Sequence, residues 1–161
     1  MHLRSVVAEE IAELLLSREQ TVSIAESSSG GLISAALLSI PGASGFYRGG
    51  SVVYTLPSRR AFLDLPRGKI EGLKPLSAEM VAVFAEAARL KLDATWGIAE
   101  LGAAGPTGSR YGHNAGTSAI GISGPTCLAT VVETCRSDRE ANMWAFTDAA
   151  LALFLQALKG I

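Results

Sequence analysis

The chain has 161 residues, 48% of them hydrophobic, which is enough to bury a core and too few for two ordinary domains, so one domain spanning 1–161 is expected. Fourteen Lys and Arg against fifteen Asp and Glu leave a formal charge of −1, and no run of like charge exists to grip a phosphate backbone, which argues against nucleic acid as a partner. Apolar runs such as Leu32 to Ile40 break well before the roughly 20 residues of a membrane span, and the opening Met1-His2-Leu3-Arg4 lacks a secretory pattern; no membrane and a cytoplasmic location are expected.

From Leu3 to Leu16 the apolar residues Leu3, Val6, Val7, Ile11, Leu14 and Leu15 recur at three and four, predicting an amphipathic helix. Thr21 to Ile24 reads as a short strand entering the small-residue turn Ala25 to Gly31, and an apolar helix follows from about Leu32 to Ser39. Pro41 to Gly45 ends that helix in a loop. Ser51 to Tyr54 is a β-branched strand with Tyr54 at its end, and Pro57 suits the first residue of a helix through Leu63. Ser77 caps a helix to about Leu92, and Trp96 to Leu101 resembles a strand.

Thr117 to Ile122 and Thr126 to Thr134 form a hairpin around Ser123-Gly124-Pro125. Ser137-Asp138-Arg139-Glu140 has the form of a capping box, with the last helix running to about Leu158. This order predicts an α/β domain, a mixed sheet between helices. Cys127 and Cys135 lie eight residues apart, about 26 Å if extended at roughly 3.3 Å per residue, too far for a bridge; free thiols in the core are expected. His2 and His113 are the only histidines and neither has a partner at ligand spacing, so no metal is expected.

Three places could carry chemistry. Glu26 to Gly31 gathers serines and glycines at a helix start, where exposed N–H groups suit a phosphate or oxyanion; equally, Ser29 merely caps the helix and the glycines allow close packing. Gly102 to Gly116 is a fifteen-residue connection, long enough to be functional, in which Pro106, Arg110 and His113 line a site or ride a mobile tip. Arg139 opposes the helix dipole in a first turn, which asks for an anionic ligand or for a surface pairing with Asp138 or Glu140.

Ala25-Glu26-Ser27-Ser28-Ser29-Gly30-Gly31-Leu32, Ile40-Pro41-Gly42-Ala43-Ser44, Arg48-Gly49-Gly50 with Val53-Tyr54, Leu76-Ser77-Ala78-Glu79, Gly102-Ala103-Ala104-Gly105-Pro106, Gly116-Thr117 and Asp138-Arg139-Glu140-Ala141 follow in order over nearly the whole chain. Together they resemble the CinA C-terminal domain family, which includes bacterial nicotinamide mononucleotide deamidases. The resemblance implies a three-layer α/β/α fold with a mixed sheet. It also implies hydrolysis of the nicotinamide amide to the acid with release of ammonia, with no metal or cofactor, a phosphorylated pyridine nucleotide as ligand, and a homo-oligomer. By it Ser27 is the nucleophile, aided by Tyr54 and by position 59. The substrate-binding set becomes Glu26, Ser28, Ser29, Gly30, Gly31, Gly105, Pro106 and Arg139.

Position 59 departs from the family. It is a lysine there and Arg59 here, and a guanidinium with a pKa above about 12 cannot shed the proton a base must shed. Leu101 stands for a threonine, His113 for a lysine, Met143 for a second arginine, and Thr55-Leu56 for Ser-Asn. Each change removes or weakens a donor or charge, typically worth about 3 to 4 kcal/mol in rate, so the activity is expected to be weak, altered or lost. Two other readings stay open: a non-catalytic protein that binds a small phosphorylated ligand through the Ser27 to Gly31 helix start, and a structural protomer that packs on a copy of itself through exposed Phe46, Tyr47 and Trp96.

Overall fold

A computed structural model describes residues 2–161. Helix α1 (Val6–Ser17) starts later than its apolar stripe because the Ser5 hydroxyl accepts from the Ala8 N–H at 3.1 Å and ends the extended entry there. Strand β1 (Val22–Glu26), α2 (Leu32–Leu38), a single 3₁₀ turn (Ala43–Gly45) and β2 (Tyr47–Val52) come next. Then follow α3 (Leu56–Leu63), the one-turn α4 (Arg67–Ile70), α5 (Ala78–Lys91), β3 (Trp96–Ala103), β4 (Thr117–Ser123), β5 (Leu128–Glu133) and α6 (Arg139–Lys159).

The five strands form one sheet in the order β2-β1-β3-β4-β5. β1 runs parallel to both β2 and β3, while β3–β4 and β4–β5 are antiparallel. Alternation along the central strands sorts side chains by size. Val22, Ile24, Trp96, Ile98, Ile120 and Ile122 point to the face covered by α1, α2 and α6, while Ala25, Ala99, Leu101 and Ala119 meet α5 on the other. Small residues let α5 lie close: a Cβ on Gly121 would stand 2.9 Å from the Val81 carbonyl oxygen. The architecture is therefore the three-layer mixed α/β/α fold that the sequence predicts.

Several local expectations are corrected. β2 begins at Tyr47 rather than Ser51, so the Arg48-Gly49-Gly50 segment is strand and Tyr54 lies beyond its end. Gly50 is required there, since a Cβ would stand 2.6 Å from the Tyr47 hydroxyl and 2.7 Å from Ser34 Oγ. Asp138, not Ser137, caps α6 by accepting from the Ala141 N–H at 3.0 Å. Phe46 and Trp96 are buried in the core and Tyr47 is half-buried, which removes the apolar surface proposed for a purely structural protomer. Cys127 and Cys135 are free but exposed rather than in the core, because they flank an edge strand whose residues alternate toward solvent. Among the described residues no helix is long and apolar enough to cross a membrane.

Candidate functional site

The site grows from the turn that follows β1. Glu26 at the end of β1 pairs in register with Glu100 of β3, and both are fully buried. A carboxylate so placed must find donors. Glu26 finds them at the start of α2: its oxygens accept from the N–H groups of Gly31 at 2.9 Å, Ile33 at 3.1 Å and Ser34 at 3.0 Å, with the Ser29 hydroxyl 2.6 Å away. The chain's own carboxylate thus takes the donors that were expected to hold an external phosphate. Glu26, Ser29, Gly30 and Gly31 build the turn and lie outside the cavity lining.

Glu100 organises the other half of the turn. One oxygen accepts from the N–H groups of Ser27 at 3.1 Å and Ser29 at 2.9 Å, and the other from the hydroxyls of Ser118 at 2.8 Å and of Ser28. Gly102 leaves room for this cluster, since a Cβ there would stand 2.8 Å from Glu100 Oε1 and 3.0 Å from Ser118 Oγ. Sequence reasoning missed Glu100 and Ser118. The available signal was a lone charge inside the apolar strand Trp96–Ala103, which physical chemistry requires to be matched by buried donors.

In front of the turn lies a cavity of about 540 Å³ lined by Ser27, Ser28, Tyr54, Arg59, Leu76, Gly105, Arg139 and the loop residues Thr107 to Tyr111, among others. Ser28 is committed to Glu100. The Ser27 side chain has no hydrogen-bond partner among the described residues, although its backbone is pinned by Glu100. Tyr54 receives a hydrogen bond on its hydroxyl from the Arg139 guanidinium at 3.0 Å, and the same guanidinium donates to the Gly105 carbonyl at 2.5 Å. Arg139 therefore reaches across the cavity from the start of α6 instead of pairing with Asp138 or Glu140.

Arg59 enters from α3. Its Nε donates to the Val53 carbonyl at 3.2 Å, and its guanidinium carbon lies 5.2 Å from the centre of the Phe84 ring. Burial pulls this guanidinium below its ordinary pKa, and nearby Tyr111 and Glu100 pull it back up; a guanidinium nonetheless stays protonated in a protein. No lysine or histidine lines the cavity.

The loop from Ala104 to Gly116 is closed on itself rather than a free tip. Ser109 N–H donates to the His113 carbonyl at 2.9 Å, and Ser109 Oγ accepts from the His113 N–H at 3.2 Å. It presents Arg110 stacked on Tyr111 at 5.2 Å to the cavity, whereas Pro106 and His113 stay outside the lining. Leu101 is buried against α5 and offers the cavity no donor. Met143 lies close beneath the turn, its methyl 2.9 Å from where a Gly30 Cβ would stand.

The CinA C-terminal domain family model matches residues 4–158. A CinA-like protein of Parasynechococcus marenigrum (strain WH8102) is 38% identical over 125 residues, covering 77% of this chain and 30% of the relative. One from Frankia casuarinae is 33% identical over 148 residues, 92% of this chain and 34% of the relative. The chain thus spans about a third of the length of these curated relatives. The crystal structure of a competence-damaged protein (CinA) superfamily protein from Escherichia coli matches with a TM-score of 0.85 at 26% identity, over 93% of this chain and 87% of that one. On its fold, its motifs and these matches, the chain belongs to the CinA C-terminal domain family.

Proposed function

We propose that this domain binds a small phosphorylated ligand of the pyridine-nucleotide class, and that its amidohydrolase chemistry on such a ligand, nicotinamide mononucleotide to the acid plus ammonia, is weak, altered or lost. The reaction needs the Ser27 oxygen to attack the carboxamide carbon while a neighbouring group takes the hydroxyl proton and passes it to the nitrogen as the C–N bond breaks and ammonia leaves; water then attacks the resulting acyl-serine, releasing the acid and restoring the Ser27 hydroxyl. One observation supports the reading: Arg59 lines the same cavity as Ser27, and that lining contains no lysine or histidine to act as the base in its place. Tyr54 and Tyr111 are the phenols of the lining, and the cation that touches the Tyr54 hydroxyl is Arg139.

A purely ligand-binding role is the second reading, and it is favoured by the three guanidinium groups of Arg59, Arg110 and Arg139 around one cavity. Incubation of the protein with nicotinamide mononucleotide, with ammonia release and thermal unfolding followed together, separates the readings. A raised melting temperature with turnover far below about 1 per second is the expected result, since binding to the native state stabilises it by mass action. Turnover at that rate or faster would refute the impaired catalyst, and no ligand-induced shift would refute the nucleotide site.

A further inference from the structure

Arg59, Arg110 and Arg139 line the cavity, and no aspartate or glutamate does. The ion pairs among the described residues are Arg4–Glu9, Lys91–Asp64 and Lys159–Glu10, and none involves these arginines. Three cations line one cavity whose lining holds no acid, with the buried Glu100 near enough to act on Arg59 alone, and together they form an electrostatic well for a ligand bearing more than one negative group. Of the three, Arg110 and Arg139 are exposed and Arg59 is half-buried in the cavity that Ser27 also lines.

Arg59 is held by the chain along one edge. Its Nε–H is spent on the Val53 carbonyl, its plane rests near Phe84, and its four terminal N–H groups have no protein acceptor among the described residues. A guanidinium held by one edge offers the other as a fork that fits a carboxylate with two parallel hydrogen bonds. Ser27 adds a hydroxyl with no competing partner. A carboxamide fits the same fork poorly, because only its oxygen accepts while its NH₂ turns donors toward donors.

We propose that the cavity discriminates the carboxylate from the carboxamide: it binds the pyridine-carboxylate nucleotide in preference to the amide, with Arg59 as the specificity-determining residue and the phosphate held toward Arg110. The residue that removes the base from Ser27 thereby makes the site a receptor for what the deamidation would yield. This inference rests on the pyridine-nucleotide reading above.

Isothermal titration of the full chain with nicotinic acid mononucleotide, nicotinamide mononucleotide and ribose 5-phosphate tests it. The acid is expected to bind about tenfold to a hundredfold more tightly than the amide, as a charge-assisted pair in a half-buried site implies. In Arg59→Gln that ratio should fall to about twofold or less, with the amide and ribose 5-phosphate weakened alike and both by less than the acid, and Arg59→Lys, with charge but no fork, should fall between. Equal or tighter binding of the amide by the wild type, or an unchanged ratio in either variant, overturns the proposal and leaves the nucleotide reading standing. Failure of all three compounds to bind overturns both.

Discussion

Ser27 and Ser28 are neighbours with opposite commitments, and the difference is set by one buried side chain. Glu100 takes the Ser28 hydroxyl and the Ser27 N–H, so the turn is held from behind and, of the two serines, Ser27 is the one whose hydroxyl stays unengaged. Replacing Glu100 by Gln leaves one acceptor oxygen and turns an NH₂ group toward serine donors. The loss should destabilise the fold by about 2 to 4 kcal/mol, measurable by urea unfolding. A variant as stable as the wild type would show that the cluster is not what fixes the turn. At this scale the sequence showed the serines and glycines of the turn but not their roles. Glu26 was expected among the substrate-binding residues, whereas its carboxylate caps α2 from within the core, because nothing in a linear pattern tells which end of a strand side chain meets which helix.

Elements were legible where periodicity is long and obscure where it is short. The helices α5 and α6, marked by their capping residues, and the two extended runs of the β4–β5 hairpin, marked by its turn, all appear close to their expected bounds. β2 was displaced because Gly49 and Gly50 weaken any strand signal, yet Gly50 exists to let Tyr47 and Ser34 close over the β1–β2 pair. That packing has a pH signature. Burial raises the Tyr47 pKa above its ordinary value of 10.0; Ser34, which hydrogen-bonds the phenol, lowers it, and the nearby Glu26 carboxylate raises it. The net shift is upward, so the folded state holds this proton longer than the unfolded chain. The corresponding stability is complete below about pH 10 and is lost as pH climbs through the raised value. In Tyr47→Phe the fall of melting temperature between about pH 9 and 11 should be shallower than in the wild type; parallel curves would show that Tyr47 does not titrate differently on unfolding.

The whole molecule illustrates why family membership and chemistry are legible to different degrees. The fold follows from a sum of local patterns, each tolerant of error, and the three-layer arrangement emerges even with β2 misplaced and α4 unforeseen. The cavity depends instead on a few side chains from α3, the β3–β4 loop and α6 converging. Tyr54 and Arg139 are 85 residues apart and in direct contact, a juxtaposition that no spacing in the sequence announces. What the sequence does expose is a residue type, an arginine at position 59 where the resemblance implies a lysine. On the proposed reading Arg59 leaves Ser27 without a proton acceptor, and kcat/KM for ammonia release from nicotinamide mononucleotide, compared between the wild type and Arg59→Lys, tests this most directly. Restoring an amine that can shed its proton should raise kcat/KM by about 10²-fold, the contribution of a positioned base. A lysine variant no faster than the wild type would contradict the claim that the missing proton acceptor is what limits this site.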